Sequence, residues 1–200
     1  MTDYTPYWGA TCVRGVIAMT AGVAIAFCSA LNATVFLKPL GVVFSLLALA
    51  AYVVVDSAIV VACSFMLPHH RLGRMALRLQ GAIGMVIGVA CFIVGQLEAD
   101  ISLFLYLASL QACCVAVAEY LSARGTSEYH HSKWCYASAV IAALSSVVLL
   151  MCHRATGHFL SWLLYSYLWC FGLNLFVLSC HMLFEEFHAF HAEKAGTARR

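Results

Sequence analysis

Charge is scarce in this chain. Of 200 residues, 11 are Lys or Arg and 9 are Asp or Glu, so 10% are charged, whereas a soluble domain carries about 25%. Such a chain cannot cover its apolar surface with water-compatible groups, so its folded solvent must be lipid. Disorder is excluded by the same composition. The net charge of +2 is too small for the basic field that nucleic acid binding requires, so no nucleic acid partner is expected. Catalytic signatures are missing as well: there is no G-x-S-x-G elbow, no H-E-x-x-H and no P-loop. No enzymatic activity, catalytic residue or cofactor is therefore expected. The 10 cysteines form no C-x-x-C pair, and their spacing fits neither a disulfide framework nor a zinc site. They read as small apolar packing residues. No basic region precedes the first apolar run, so that run is expected to stay as a membrane helix and not to be cleaved as a signal peptide.

What the chain has in abundance is apolar length: 64% of its residues are hydrophobic and its mean hydropathy is +0.90. A helical membrane span needs roughly 20 apolar residues. Six such runs are legible, at about 10–31, 40–66, 76–97, 101–123, 134–152 and 159–184. None alternates apolar and polar residues as a barrel strand would. The fold class is thus all-α, a polytopic membrane protein of six transmembrane helices joined by short connections. Residues 1–9 form a cytoplasmic N-terminus, 10–184 the transmembrane domain and 185–200 a cytoplasmic tail containing His. All Lys and Arg except Lys38 and Arg154 fall on the face that holds both termini, which the positive-inside rule places in the cytoplasm. Tyr7, Trp8, Tyr129 and Trp134 suit an inner aromatic belt, with Phe159 and Trp162 at an outer end.

The spans repeat. GVIAMTAG at 15–22 matches GAIGMVIG at 81–88, and SAVIAALS at 138–145 has the same frame with Ser at the Gly positions. Spans one, three and five therefore share small residues seven apart: Gly15 and Gly22, Gly81 and Gly88, Ser138 and Ser145, with Gly84 adding a small-xxx-small step. Residues so spaced lie on one helix face, where they permit close backbone approach in lipid. These three helices are expected to form the inner packing layer. Spans two, four and six each carry one polar residue about two thirds of the way along: Asp56, Glu119 and Asn174. The order of elements makes two hairpins that turn in the cytoplasm, and each turn carries a His-His pair: His69 and His70, His130 and His131.

This pattern resembles the HdeD-like (DUF308) family of six-span bacterial membrane proteins. YVVVDSAIVVA at 52–62 and AVAEYLSAR at 116–124 look like that family's acidic helix element, and LQGAIGMVIGV at 79–89 looks like its glycine-spaced element. The chain departs from the family in its small residues other than Gly, its many Cys and its His-rich tail. The resemblance implies a bacterial inner-membrane protein acting in acid or envelope stress, with no established enzyme activity.

Asp56 is the most expensive residue in the sequence. An aspartate at a helix centre costs roughly 2.5–3.5 kcal/mol. It is either a bundle-facing group bonded to Ser, Asn or an Arg of another span, or a proton-handling site. Glu119 is expected nearer the interface, paired with Arg124 or snorkelling. Gln111 and Asn174 suit interhelical hydrogen bonds worth roughly 0.6–2 kcal/mol. Arg14 and Arg78 are expected to reach lipid phosphates, or one of them a carboxylate. The His pairs are candidates for pH sensing, since imidazole gains charge near pH 6.5. In the tail, His181, Glu185, His188 and His191 are metal-ligand candidates by helical spacing, beside a reading of the same segment as an amphipathic interfacial helix. The partners expected are the lipid bilayer and a second copy of the chain docked through small-residue faces. No soluble partner is indicated. The alternative to a stress protein is a small proton-coupled transporter or channel using Asp56 and Glu119.

Overall fold

The computed structural model describes residues 7–31, 38–66, 71–96, 101–125, 132–152 and 157–197. They form six helices: α1 (Tyr7–Leu31), α2 (Lys38–Met66), α3 (Arg71–Gln96), α4 (Ile101–Gly125), α5 (Ser132–Met151) and α6 (Gly157–Thr197). The chain is an all-α polytopic membrane protein. Five helices carry apolar stretches long enough to cross a bilayer, and α4 carries a shorter one, Leu105–Leu121, within its 25 residues. In hydrocarbon every backbone N–H and C=O needs an internal partner, and the helix supplies one for each.

The helices close into a ring. Each packs on its successor, and α6 returns to pack on α1. At about 1.5 Å per residue each helix is about 30 Å or longer. Connections of six residues or fewer reach only about 20 Å, so neighbouring helices run antiparallel. The three most extensive interfaces are α1·α6, α2·α3 and α4·α5. The two predicted hairpins are therefore joined by a third pair of the same kind, made from the first and last helices without a connecting turn.

The surface has the pattern expected of a lipid-facing bundle. Phe27, Phe65, Met75, Val86 and Met151 are between 67% and 77% exposed, while Arg14, Asp56, Glu119, Gln111 and Asn174 are buried. Small residues set the close contacts. A Cβ on Gly15 would lie 2.8 Å from the Gly172 carbonyl oxygen of α6, and a Cβ on Gly172 would lie 2.8 Å from that of Gly15. A Cβ on Gly22 would press on Trp169, one on Gly81 on Val61, and one on Gly88 on Val54. The glycine frame thus does pack α1 on α6 and α3 on α2.

Two expectations are corrected. Helices α1, α3 and α5 are not the inner layer, because 28–33% of their apolar windows is buried against 39% for α2 and α6. The ring gives every helix both a lipid face and an interior face. On α5, Ser145 turns back to the Ile141 carbonyl of its own helix, and the contact to α4 comes from Ser146, which exchanges hydrogen bonds with Ser109. Helix α6 continues past residue 184 to Thr197, as a helical extension of the last span.

Candidate functional site

On α2 the buried positions Tyr52, Val53, Asp56, Ser57, Val60 and Ser64 follow the helical period and make one stripe, with Asp56 near its middle. On α4 the corresponding stripe runs through Gln111, Ala112, Val115, Ala116 and Glu119, and on α1 it starts at Arg14 and continues through Ala18 and Ile25. Gly15, next to Arg14, lets α1 sit against the backbone of α6. The guanidinium is thereby held inside the ring.

There it joins both carboxylates. Arg14 donates from Nε to Asp56 Oδ1 at 2.7 Å and from Nη2 to Oδ2 at 3.3 Å. Its Nη1 faces Glu119 Oε1 at 3.5 Å. All three side chains are at least nine-tenths buried. The Asp56 contact is the side-on fork that guanidinium and carboxylate geometry favours, while the Glu119 contact is looser. One cation thus ties α1 to α2 and α4. The expectation that Asp56 meets an Arg of another span describes what is found. Glu119 meets Arg14 and not Arg124, and Arg14 does not snorkel: both face the interior, and Arg124 is exposed.

The two carboxylates differ in their distance from the ends of their own helices. Asp56 lies ten residues before the end of α2 at Met66 and Glu119 six before the end of α4 at Gly125, so about 15 Å and about 9 Å from those ends. On the side of Asp56 away from them lies a cavity of about 20 Å³. Its polar lining is Asp56, Gln111, Tyr52 and Tyr167, and the remainder is apolar. Gln111 does not make the expected interhelical bond through its carbonyl, because Oε1 is buried without a partner. A Cβ on Gly84 would meet the Gln111 amide nitrogen and Ser57 Oγ, so the bare glycine leaves room for this polar layer.

Asn174 is not part of the charge cluster. It donates to Ser138 Oγ and to the Trp134 carbonyl at 3.3 Å, pinning α6 to α5. Arg78, exposed on α3, lies over the Phe65 ring at 4.6 Å. The ten cysteines are free thiols. His69, His70, His130 and His131 lie outside the described residues, as do the side chains of Glu185, His188 and His191. Among the described residues no three or more of His, Cys, Asp and Glu are grouped so as to hold a metal ion.

Sequence reasoning passed over Gln80, Ser57, Tyr52 and Tyr167. Gln80 immediately precedes Gly81 as Arg14 precedes Gly15, so the repeat itself marks it. It is buried, and neither amide atom has a partner. Comparison of the chain with models of protein families, with curated proteins and with solved structures finds no match in any of the three.

Proposed function

We propose that this membrane protein is a small proton-coupled transporter or channel, with Arg14, Asp56 and Glu119 as its exchange site. One observation carries the reading: a single buried guanidinium stands between two carboxyl groups on different helices. Fully ionised, the cluster has a net charge of −1 inside an apolar bundle, which is costly. One proton makes it neutral. With the proton on Glu119, Arg14 keeps its fork to Asp56. With the proton on Asp56, the guanidinium turns to Glu119. Moving the proton between them shifts Arg14 between α2 and α4, which gives the bundle two arrangements of nearly equal charge balance. The asymmetry of the cluster supports vectorial transfer, since Asp56 adjoins the cavity and Glu119 does not.

The charge distribution supports placing the end that carries both termini in the cytoplasm of a bacterial inner membrane. Acid or envelope stress is then the physiological setting in which we place the activity, and the protein does no covalent chemistry on a substrate. The test is proton flux into liposomes that contain the purified chain and a trapped pH-sensitive dye. Asp56→Asn should abolish flux at equal protein content, and Glu119→Gln should do the same. Wild-type flux in Asp56→Asn would refute the reading. Loss of survival after acid shock in a deletion strain, restored by the wild type and not by Asp56→Asn, tests the setting.

A further inference from the structure

We infer that the cavity beside Asp56 is a binding site for a single sodium ion. The inference rests on the reading of the charge cluster as a site for an exchangeable cation, and it names a second occupant besides the proton. Size is the first argument. A cavity of about 20 Å³ exceeds the roughly 10–15 Å³ needed to hold one water-sized occupant. It has room for a lone ion or a water.

The donor set is the second argument. Every polar side chain in the lining brings oxygen: the Asp56 carboxylate, the Gln111 amide carbonyl and the Tyr52 and Tyr167 hydroxyls. The lining has no thiol and no imidazole. Oxygen donors without a thiol or an imidazole suit hard cations and disfavour the softer transition metals. Gln111 is 7% exposed, and its Oε1 has no hydrogen-bond partner. A buried carbonyl oxygen left without a partner costs about 1–3 kcal/mol, and a cation in the adjoining cavity would supply that partner.

Charge is the third argument. Arg14 is shared between Asp56 and Glu119, so with both carboxyl groups ionised the cluster lacks one positive charge. A monovalent ion restores neutrality, whereas a divalent ion would overshoot it. The small oxygen-lined space, the orphaned carbonyl and the missing single charge together select sodium over calcium, zinc or a larger organic cation.

The experiment uses the full chain in lipid nanodiscs at one fixed pH. Thermal unfolding is followed in sodium, potassium and choline chloride at equal ionic strength, and radioactive sodium binding is measured on the same samples. Sodium should raise Tm above its value in choline, potassium should raise it less, and binding should saturate at one ion per chain. Gln111→Leu removes the orphaned oxygen, so its Tm in choline should equal or exceed the wild type while the sodium-specific rise disappears. Gln111→Asn, which withdraws the carbonyl from the cavity, should weaken sodium binding about tenfold or more and serves if the leucine variant does not fold. Equal Tm in all three salts would overturn the assignment, as would a sodium-specific rise of wild-type size in Gln111→Leu. Proton flux is recorded in parallel. Flux without sodium binding overturns this site and leaves the transport reading standing. Sodium binding without flux overturns the transport reading and leaves the cavity assignment.

Discussion

Replacing Arg14 by Met is the sharpest test of the charge cluster. At an effective dielectric of about 20, unit charges at the 2.7 Å of the Asp56 contact attract by about 6 kcal/mol, and at the 3.5 Å of the Glu119 contact by about 5 kcal/mol. Desolvation offsets most of this gain, so what a measurement reads is the cost of stranding buried charge, about 3–5 kcal/mol. Arg14→Met should therefore destabilise the protein by about 3–5 kcal/mol, read from reversible unfolding in mixed micelles titrated with SDS and followed by circular dichroism. Glu119→Gln leaves the forked Arg14–Asp56 pair intact and neutral, and should shift stability by no more than about 1 kcal/mol. The triple change Arg14→Met, Asp56→Leu, Glu119→Leu removes every stranded charge and should return the protein to wild-type stability or above it by about 1–4 kcal/mol. If Arg14→Met lies within about 0.5 kcal/mol of the wild type, the range of inert surface changes, the guanidinium is not balancing the carboxylates and the reasoning fails. A triple variant that recovers none of the lost stability would refute it equally.

Other changes have equally definite outcomes. Gly15→Ala and Gly172→Ala each place a methyl within 2.8 Å of a facing carbonyl oxygen and should cost about 1–3 kcal/mol by overpacking. Gly9→Ala, with nothing within 4 Å of the new Cβ, should gain up to about 1 kcal/mol from helix propensity; the same SDS titration ranks all three. Gln80→Leu replaces two unpartnered buried amide atoms and should stabilise by about 1–3 kcal/mol, with no gain counting against the burial described. A double-mutant cycle of Ser109→Ala and Ser146→Ala should show coupling of about 0.6 kcal/mol, the usual value for an interhelical hydrogen bond in lipid.

The number and class of the helices were legible because lipid imposes a length on every span and no water-soluble alternative fits so little charge. The glycine frame was legible because seven residues bring a helix back to the same face, and Gly15, Gly81 and Gly88 do meet backbone or β-branched neighbours. The charge cluster was only half legible. Asp56 announced a partner, but choosing Arg14 over Arg78 requires the rotation of α1 about its own axis. A helix apolar on nearly all sides does not encode that rotation; Gly15 against Gly172 sets it. Glu119 was given the wrong partner for the same reason, since a nearby Arg124 is a neighbour in sequence that turns to another face. Ser145 and Ser146 differ by one residue, about 100° of helix, so the repeat found the right turn and the packing chose the other serine.

The third helix pair has a consequence for how the chain is made. Helices α2 and α3, like α4 and α5, can pair as soon as both have entered the membrane. Helix α1 is synthesised first, yet its principal partner, α6, comes last. Arg14 therefore enters the bilayer before Asp56, which follows 42 residues later, a delay of about 2–8 s at ~5–20 residues/s. In that interval only lipid headgroups or water at the nearby interface can solvate it. The first span is a ring segment waiting for its closure, and the charge that later locks it is what holds it shallow until then. A chain cut within a hairpin turn and rejoined from α6 to α1 would turn this last pair into an ordinary hairpin, shortening the wait without changing a single contact of the finished ring.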